Sequence, residues 1–328
     1  MDSLRFFLSA ISRQSLRAVP TIVGILLINF FLLQQVPGDA VDIMAAEAGG
    51  ASAESMQAMR EAYGLLGTWW QQLGNYLGQL ARGDLGVSPR FNEPVLDLIF
   101  KRLPNSLFLV ISGLSLAIGV GLVLGSLMVR FHRQVPDRVL SLFNLLLYST
   151  PGFWLGLLLI YVFSVQLGWL PAMGHASIDS NLSGWSWIHD RLRHAILPIL
   201  TVATFFIAVY ARLTRASLLD IEDAEYIRTA HAKGLAPWRI TWFHRLRNAL
   251  IPVSTMAGVH FAALFGGAAV TETVFAWPGI GRLTLQAVMT RDFQLLLGIL
   301  LLSSLVVVII NIVIDVFQQW LDPRIRTE

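Results

Sequence analysis

The sequence predicts an all-α integral membrane protein with six transmembrane helices. Three observations carry that reading. The 328 residues are 55% hydrophobic and only 14% charged, where soluble domains hold about 25% charged residues. Six windows, 18–38, 103–129, 139–168, 194–211, 248–271 and 293–314, contain no Asp, Glu, Lys or Arg. A helix needs about 20 apolar residues to cross the hydrocarbon of a bilayer. Finally, the basic residues divide unevenly between the connecting segments. The N-terminal tail, 130–138, 212–247 and the C-terminal tail hold 15 of the 24 Lys and Arg. The positive-inside rule therefore places that set of loops, and with it both termini, in the cytoplasm.

The first window follows Arg5, Arg13 and Arg17. Its apolar run exceeds the roughly 7–15 residues of a secretory signal, and no small-x-small site closes it, so it reads as a retained span. An external segment, 37–102, follows, with five basic and eight acidic residues. Within it, 62–81 is uncharged but carries Gln71, Gln72, Asn75 and Gln79. Leu66, Trp69, Trp70, Leu73, Tyr76, Leu77 and Leu80 recur at helical spacing on one face. That pattern fits an amphipathic helix on the membrane surface with Trp and Tyr at the interface. It fits equally a packed helix of a small external domain. The expected organisation is 1–93 as first span plus external segment, 94–320 as membrane core, and 321–328 as cytoplasmic tail.

Several chemistries are excluded. The absence of cysteine removes disulfides, thiolate metal sites and cysteine nucleophiles. The two lysines, Lys101 and Lys233, do not precede Ser or Thr, so no P-loop ATP site is present. No HExxH, GxSxG or metal-spaced cluster occurs, and His189 and His194, five apart, suit no single helical face. No catalytic residue, metal ligand or cofactor site is assigned, and the chain is expected not to be an enzyme in itself. Glu272 and Asp315 stand at the ends of their windows. A proton- or sodium-coupled carrier would place such a charge near the midplane.

The loop at 211–252 is the informative one. Asp220, Glu222, Asp223 and Glu225 open it, and Arg228 and Lys233 follow. That order suits a helix from about 223 to 233. Gly234 stands where a left-handed cap is expected. Pro237 suits the first turn of a second helix with Ile240, Phe243, Leu246 and Leu250 on one side.

This loop resembles the segment by which ABC-importer permeases dock on their ATPase subunit. Arg228-Thr229-Ala230 stands where the general pattern has Glu-Ala-Ala, and Gly234 where it has glycine. The strings YIRTAHAKGL (226–235) and RNALIP (247–252) resemble the peptide/nickel branch of these permeases, the DppB/OppB type. So do GDLGVS (83–88), KRLPNSL (101–107), PGFWLGLLLIYVFSVQLGWLPAMG (151–174), TETVFAWPGIGRL (271–283) and NIVIDVFQQWLDPRIR (311–326).

The resemblance implies a type-I ABC importer permease fold. It implies a paralogous permease partner in a heterodimer, two cytoplasmic ATPase subunits and an extracytoplasmic substrate-binding protein, in a prokaryotic plasma membrane, bacterial inner membrane by expectation. It implies a cargo of dipeptides or oligopeptides. Nickel, a metal chelate, glutathione or an opine-like compound is the alternative, and a stand-alone secondary carrier is a third reading. Tyr226, Arg228, Thr229, Ala230 and Gly234 are the expected ATPase-coupling residues. Glu272, Trp277, Pro278 and Gly279 either turn the chain or border an external gate. Asn311 and Asp315, four apart on the last span, form a candidate structural pair anchoring Arg324 or Arg326.

Overall fold

The computed structural model describes residues 20–177, 182–222 and 224–321. Every named element among them is helical. In chain order these are α1 (Pro20–Gln34), α2 (Ala40–Glu47), α3 (Ala53–Ala62), α4 (Trp69–Ala81), α5 (Val95–Arg130), α6 (Val135–Ser149) and α7 (Gly152–Leu159), which continues as a π-helix over Ile160–Gln166. There follow α8 (Trp185–Asp220), α9 (Glu225–Ala232), α10 (Pro237–Arg239) with a π-helical extension Ile240–Arg245, and α11 (Leu246–Gly267). The last are α12 (Ala269–Val274), α13 (Ile280–Met289) and α14 (Phe293–Leu321). The chain forms two compact units, Met1–Ser106 with Pro278–Ile309, and Leu107–Trp277 with Ile310–Glu328.

Among the described residues four helices are long and apolar enough to cross a membrane, those in α5, α8, α11 and α14. The window 139–168 is not one straight span: α6 and the α7 segment meet at 97°. Pro151 stands at the break and N-caps α7, and the residue before a proline is driven out of the helical region. In the window 18–38 the described helix is α1, 15 residues of Pro20–Gln34. At 1.5 Å per residue it rises about 22 Å, less than the hydrocarbon thickness.

In the first unit, Asp39 and Asp42 form a reciprocal capping box at the start of α2. Arg60 of α3 bridges both carboxylates, at 2.7 and 2.5 Å. The uncharged stretch 62–81 resolves into a turn followed by α4. Its Tyr76 packs on Phe30 and Leu297, so α4 is a packed helix of this unit. Trp70 stays exposed. The main core joins Leu85, Val95, Leu98 and Ile99 to Ile280, Leu283, Leu295 and Ile299.

In the second unit, α5 lies close against α8. A Cβ on Gly121 would stand 2.6 Å from the Tyr210 Cβ, and one on Gly125 would stand 2.7 Å from the Ala211 carbonyl oxygen. Gly121-x-x-x-Gly125 is thus the small-residue seam that lets two membrane helices approach. Asn144 donates to the Ala208 carbonyl at 3.0 Å and fixes α6 on α8. Arg215 donates to Asp137 at 3.0 Å.

Candidate functional site

The projection after α8 is built as a capped helix on a firm base. Leu218, Leu246 and Ala249 form a buried cluster with Leu122, Val129 and Ile221, which fixes where the chain leaves and rejoins the bundle. From that base α9 runs for eight residues. Its end carries both bonds of a Schellman motif: Gly234 N–H donates to the His231 carbonyl at 2.9 Å, and Leu235 N–H to the Ala230 carbonyl at 3.3 Å. Gly234 sits at φ +69°, and a Cβ there would meet no atom within 4 Å. Glycine is required by the backbone at this position, not by crowding. Ile227, Ala230 and Ile240 close a small core with Leu235 against it.

The five expected coupling residues divide by burial. Tyr226, Arg228, Thr229 and Gly234 are exposed, whereas Ala230 is buried beneath them. Ala230 thus lies in contact with Ile240 of the chain itself, and its small size serves that packing. The Tyr226 hydroxyl accepts from Asn248 Nδ2 at 2.6 Å, tying α9 to the root of α11. Thr229 Oγ1 donates to the Glu225 carbonyl.

The second helix differs from its expected register. Ile240 and Leu246 are buried, but Phe243 is 64% exposed. The π-helical turn over Ile240–Arg245 bonds i to i+5 and so breaks the 3.6 period. Phe243 turns outward, with Trp238 edge-on to it at 6.3 Å. The outer surface of the projection thus combines aromatic rings with Arg228, Lys233 and Arg239, all exposed.

The 272–279 segment is enclosed rather than presented. Glu272, Phe275 and Trp277 are buried. Here α12 also ends in a Schellman motif, with Trp277 N–H on the Glu272 carbonyl at 2.7 Å and Ala276 N–H on the Thr273 carbonyl at 3.1 Å. The left-handed position is Ala276, φ +48°. Gly174 N–H donates to the Phe275 carbonyl at 2.9 Å, and His175 meets Trp277 edge-on at 6.4 Å. In the other unit, Asn105 Nδ2 donates to the Pro278 carbonyl at 3.0 Å and Ile280 N–H donates to Ser106 Oγ at 2.7 Å. Gly279, in extended conformation, N-caps α13.

Asn311 and Asp315 lie on α14. The Asp315 side chain and Arg324 and Arg326 fall outside the described residues. Two features go beyond the sequence reading. One is the Gly121/Gly125 seam, legible as G-x-x-x-G in an apolar run. The other is Asp292, wholly buried, which N-caps α14 by accepting from Leu295 N–H at 3.0 Å and also accepts from Ser88 Oγ. The aspartate just before Phe293 is a visible N-cap signal. Burial pushes the Asp292 carboxyl above its ordinary range, against the opposing pull of the Ser88 hydrogen bond.

Long apolar helices, a bent helix pair and a short capped projection define a polytopic helical membrane protein. The family described as "Binding-protein-dependent transport system inner membrane component" matches residues 117–327, and the chain belongs to that family. It is 34% identical over 317 residues to the oligopeptide transport system permease protein AppB of Bacillus subtilis, covering 96% of this chain and 98% of that protein. It is 36% identical over 334 residues to the di/tripeptide transport system permease protein DppB of Pseudomonas aeruginosa, covering 97% and 99%. Among solved structures, a chain of the MetNI methionine ABC transporter in an inward-facing conformation matches at TM-score 0.55 and 20% identity, over 69% of this chain and 97% of that one. The fold is that of type-I ABC importer permeases.

Proposed function

We propose that the chain is a permease subunit of an ATP-driven importer that moves dipeptides and oligopeptides across a bacterial inner membrane. One observation carries the cargo class: identity of 34% and 36%, over nearly the full length, to relatives named for oligopeptides and di/tripeptides. Nothing in the structure favours nickel, a chelate, glutathione or an opine-like compound.

In this reading the chain spans the membrane six times with both termini inside, and its membrane core covers 94–320. It pairs with a paralogous permease above two ATPase subunits, which supply the ATP chemistry. A substrate-binding protein delivers cargo on the other face, with 37–102 as part of its platform. The segment 215–248 is the coupling element. Tyr226, Arg228, Thr229 and the Gly234 cap present it to the ATPase, and Ala230 holds its inner face. Nucleotide-driven closure pulls on the projection and shifts the bundle between two states that both partners bias. Glu272, Trp277, Pro278 and Gly279 form a rigid turn at the outer end, and Asn311 with Asp315 anchors the tail.

Co-purification of the tagged chain with the products of neighbouring genes, followed by an ATPase assay, tests this. The reading expects stoichiometric ATPase subunits whose turnover rises with peptide-loaded binding protein. Stimulation only by a metal-loaded protein would replace the cargo. Transport by the chain alone, with no ATPase bound, would overturn the reading.

A further inference from the structure

The first unit holds a cavity of about 340 Å³. Its walls come from α1, α4 and the start of α14. One side is apolar and buried, formed by Phe30, Tyr76 and Leu297. The other side is polar and exposed, where Gln34 donates to Gln72 at 2.6 Å. The volume lies in the range of small-molecule sites, which begins at about 300 Å³.

Three further observations show that this space is suited to a ligand. The Tyr76 hydroxyl, on a residue more than nine-tenths buried, has no hydrogen-bond partner among the described residues. That hydroxyl is itself closed off from the cavity, so Tyr76 serves the site as part of its apolar wall. Among the described lining residues Arg82 is the only charged one, and it is exposed. Gly74 and Gly78 of α4 also line the cavity, and a Cβ at either would meet nothing within 4 Å. Glycine inside a helix costs about 1 kcal/mol relative to alanine. Here that cost leaves the space open.

The setting selects the chemistry. Gln34 ends α1 and Phe293 begins α14, so the cavity stands where two apolar helices meet polar chain, the level of lipid headgroups. Trp69 and Trp70 stack beside it, as aromatic residues do at that level. Ile28, Phe31 and Leu32 leave an apolar strip exposed along α1. We propose that this cavity binds the headgroup and glycerol region of one anionic phospholipid, with the phosphate at Arg82, the glycerol region against the apolar wall of Phe30, Tyr76 and Leu297, and the acyl chains along α1. The site depends on membrane insertion and not on the identity of the cargo.

The test is retention of lipid by the full chain purified in mild detergent from membranes containing phosphatidylglycerol and phosphatidylcholine. Bound phospholipid is then quantified by mass spectrometry. The expected result is one retained phosphatidylglycerol per chain. Arg82→Gln should lower it roughly tenfold, the weight of one charge-assisted hydrogen bond. Gly78→Leu, which fills open space with a better helix former, should lower it as far while leaving thermal stability intact. Washing with inorganic phosphate should leave retention unchanged. Equal retention in all three proteins, retention blind to headgroup charge, or release by phosphate alone would each overturn the proposal.

Discussion

Two of the short helices in this protein, α9 and α12, end in the same backbone device and differ in everything around it. Both α9 and α12 close with paired bonds of the Schellman type. At the end of α9 the left-handed residue is Gly234, exposed and with open space around it. At the end of α12 it is Ala276, flanked by Phe275 and Trp277, each 1% exposed. The device fixes the chain's direction in both places. Only the surroundings decide whether the result is an exposed projection or a corner locked into a core.

The largest expected effect lies in the locked corner. Trp277→Ala should destabilise the chain by about 3–5 kcal/mol, as removal of a buried Trp does, measured by thermal or denaturant unfolding in detergent. A loss below about 1 kcal/mol would mean that the corner is not locked.

At the presented cap, Gly234→Val should act on coupling instead. A β-branched residue is strained at positive φ, and the left-handed conformation costs about 1–2 kcal/mol for L-residues. Peptide uptake should fall roughly tenfold with the subunits still assembled, since about 1.4 kcal/mol is a factor of ten. Uptake at the parental rate would break the contrast between the two caps.

Another ending of this kind closes α13, with Arg291 at φ +52° and the buried Asp292 following. Because burial holds the Asp292 carboxyl above its ordinary value, the folded chain keeps this proton to higher pH than the unfolded chain does. Asp292 therefore favours the folded state most at low pH, and its contribution declines as pH rises from about 4 through the folded value. Asp292→Asn should flatten that slope in unfolding midpoints measured across the window. An unchanged slope would assign the pH dependence to other groups.

The smallest effects form a matched pair. Gly234→Ala should cost about 1 kcal/mol, with no clash to add to it, while Ala276→Gly should gain up to about 1 kcal/mol, less the entropy glycine adds to the unfolded chain. Unfolding measurements giving both changes the same sign would show that the caps are not governed by backbone conformation.

What the sequence made legible was local. The acidic start and glycine stop of α9 are short-range signals, and the charge-free windows need only composition. Helix breaks and register shifts were harder to read. Pro151 lies inside an uncharged run that hides a 97° bend, and the π-turn at Ile240–Arg245 moves Phe243 off the face that a 3.6 period assigns to it. The tie between Ser88 and Asp292 joins residues 204 apart, a pairing no local pattern encodes. Burial of Ala230 against Ile240 was hidden for a related reason, since a small residue suits an internal contact as well as an external one.

The central claim is that α9 and its cap are where the ATPase subunits dock. The chain has no cysteine, so Ala232→Cys supplies a single thiol on the exposed stripe shared with Arg228 and Thr229. Ser55→Cys, exposed on α3, supplies the control. Bound ATPase subunits should protect the thiol at 232 from maleimide and leave the thiol at 55 reactive. Equal labelling of both thiols in a complex that retains its ATPase subunits would contradict the claim.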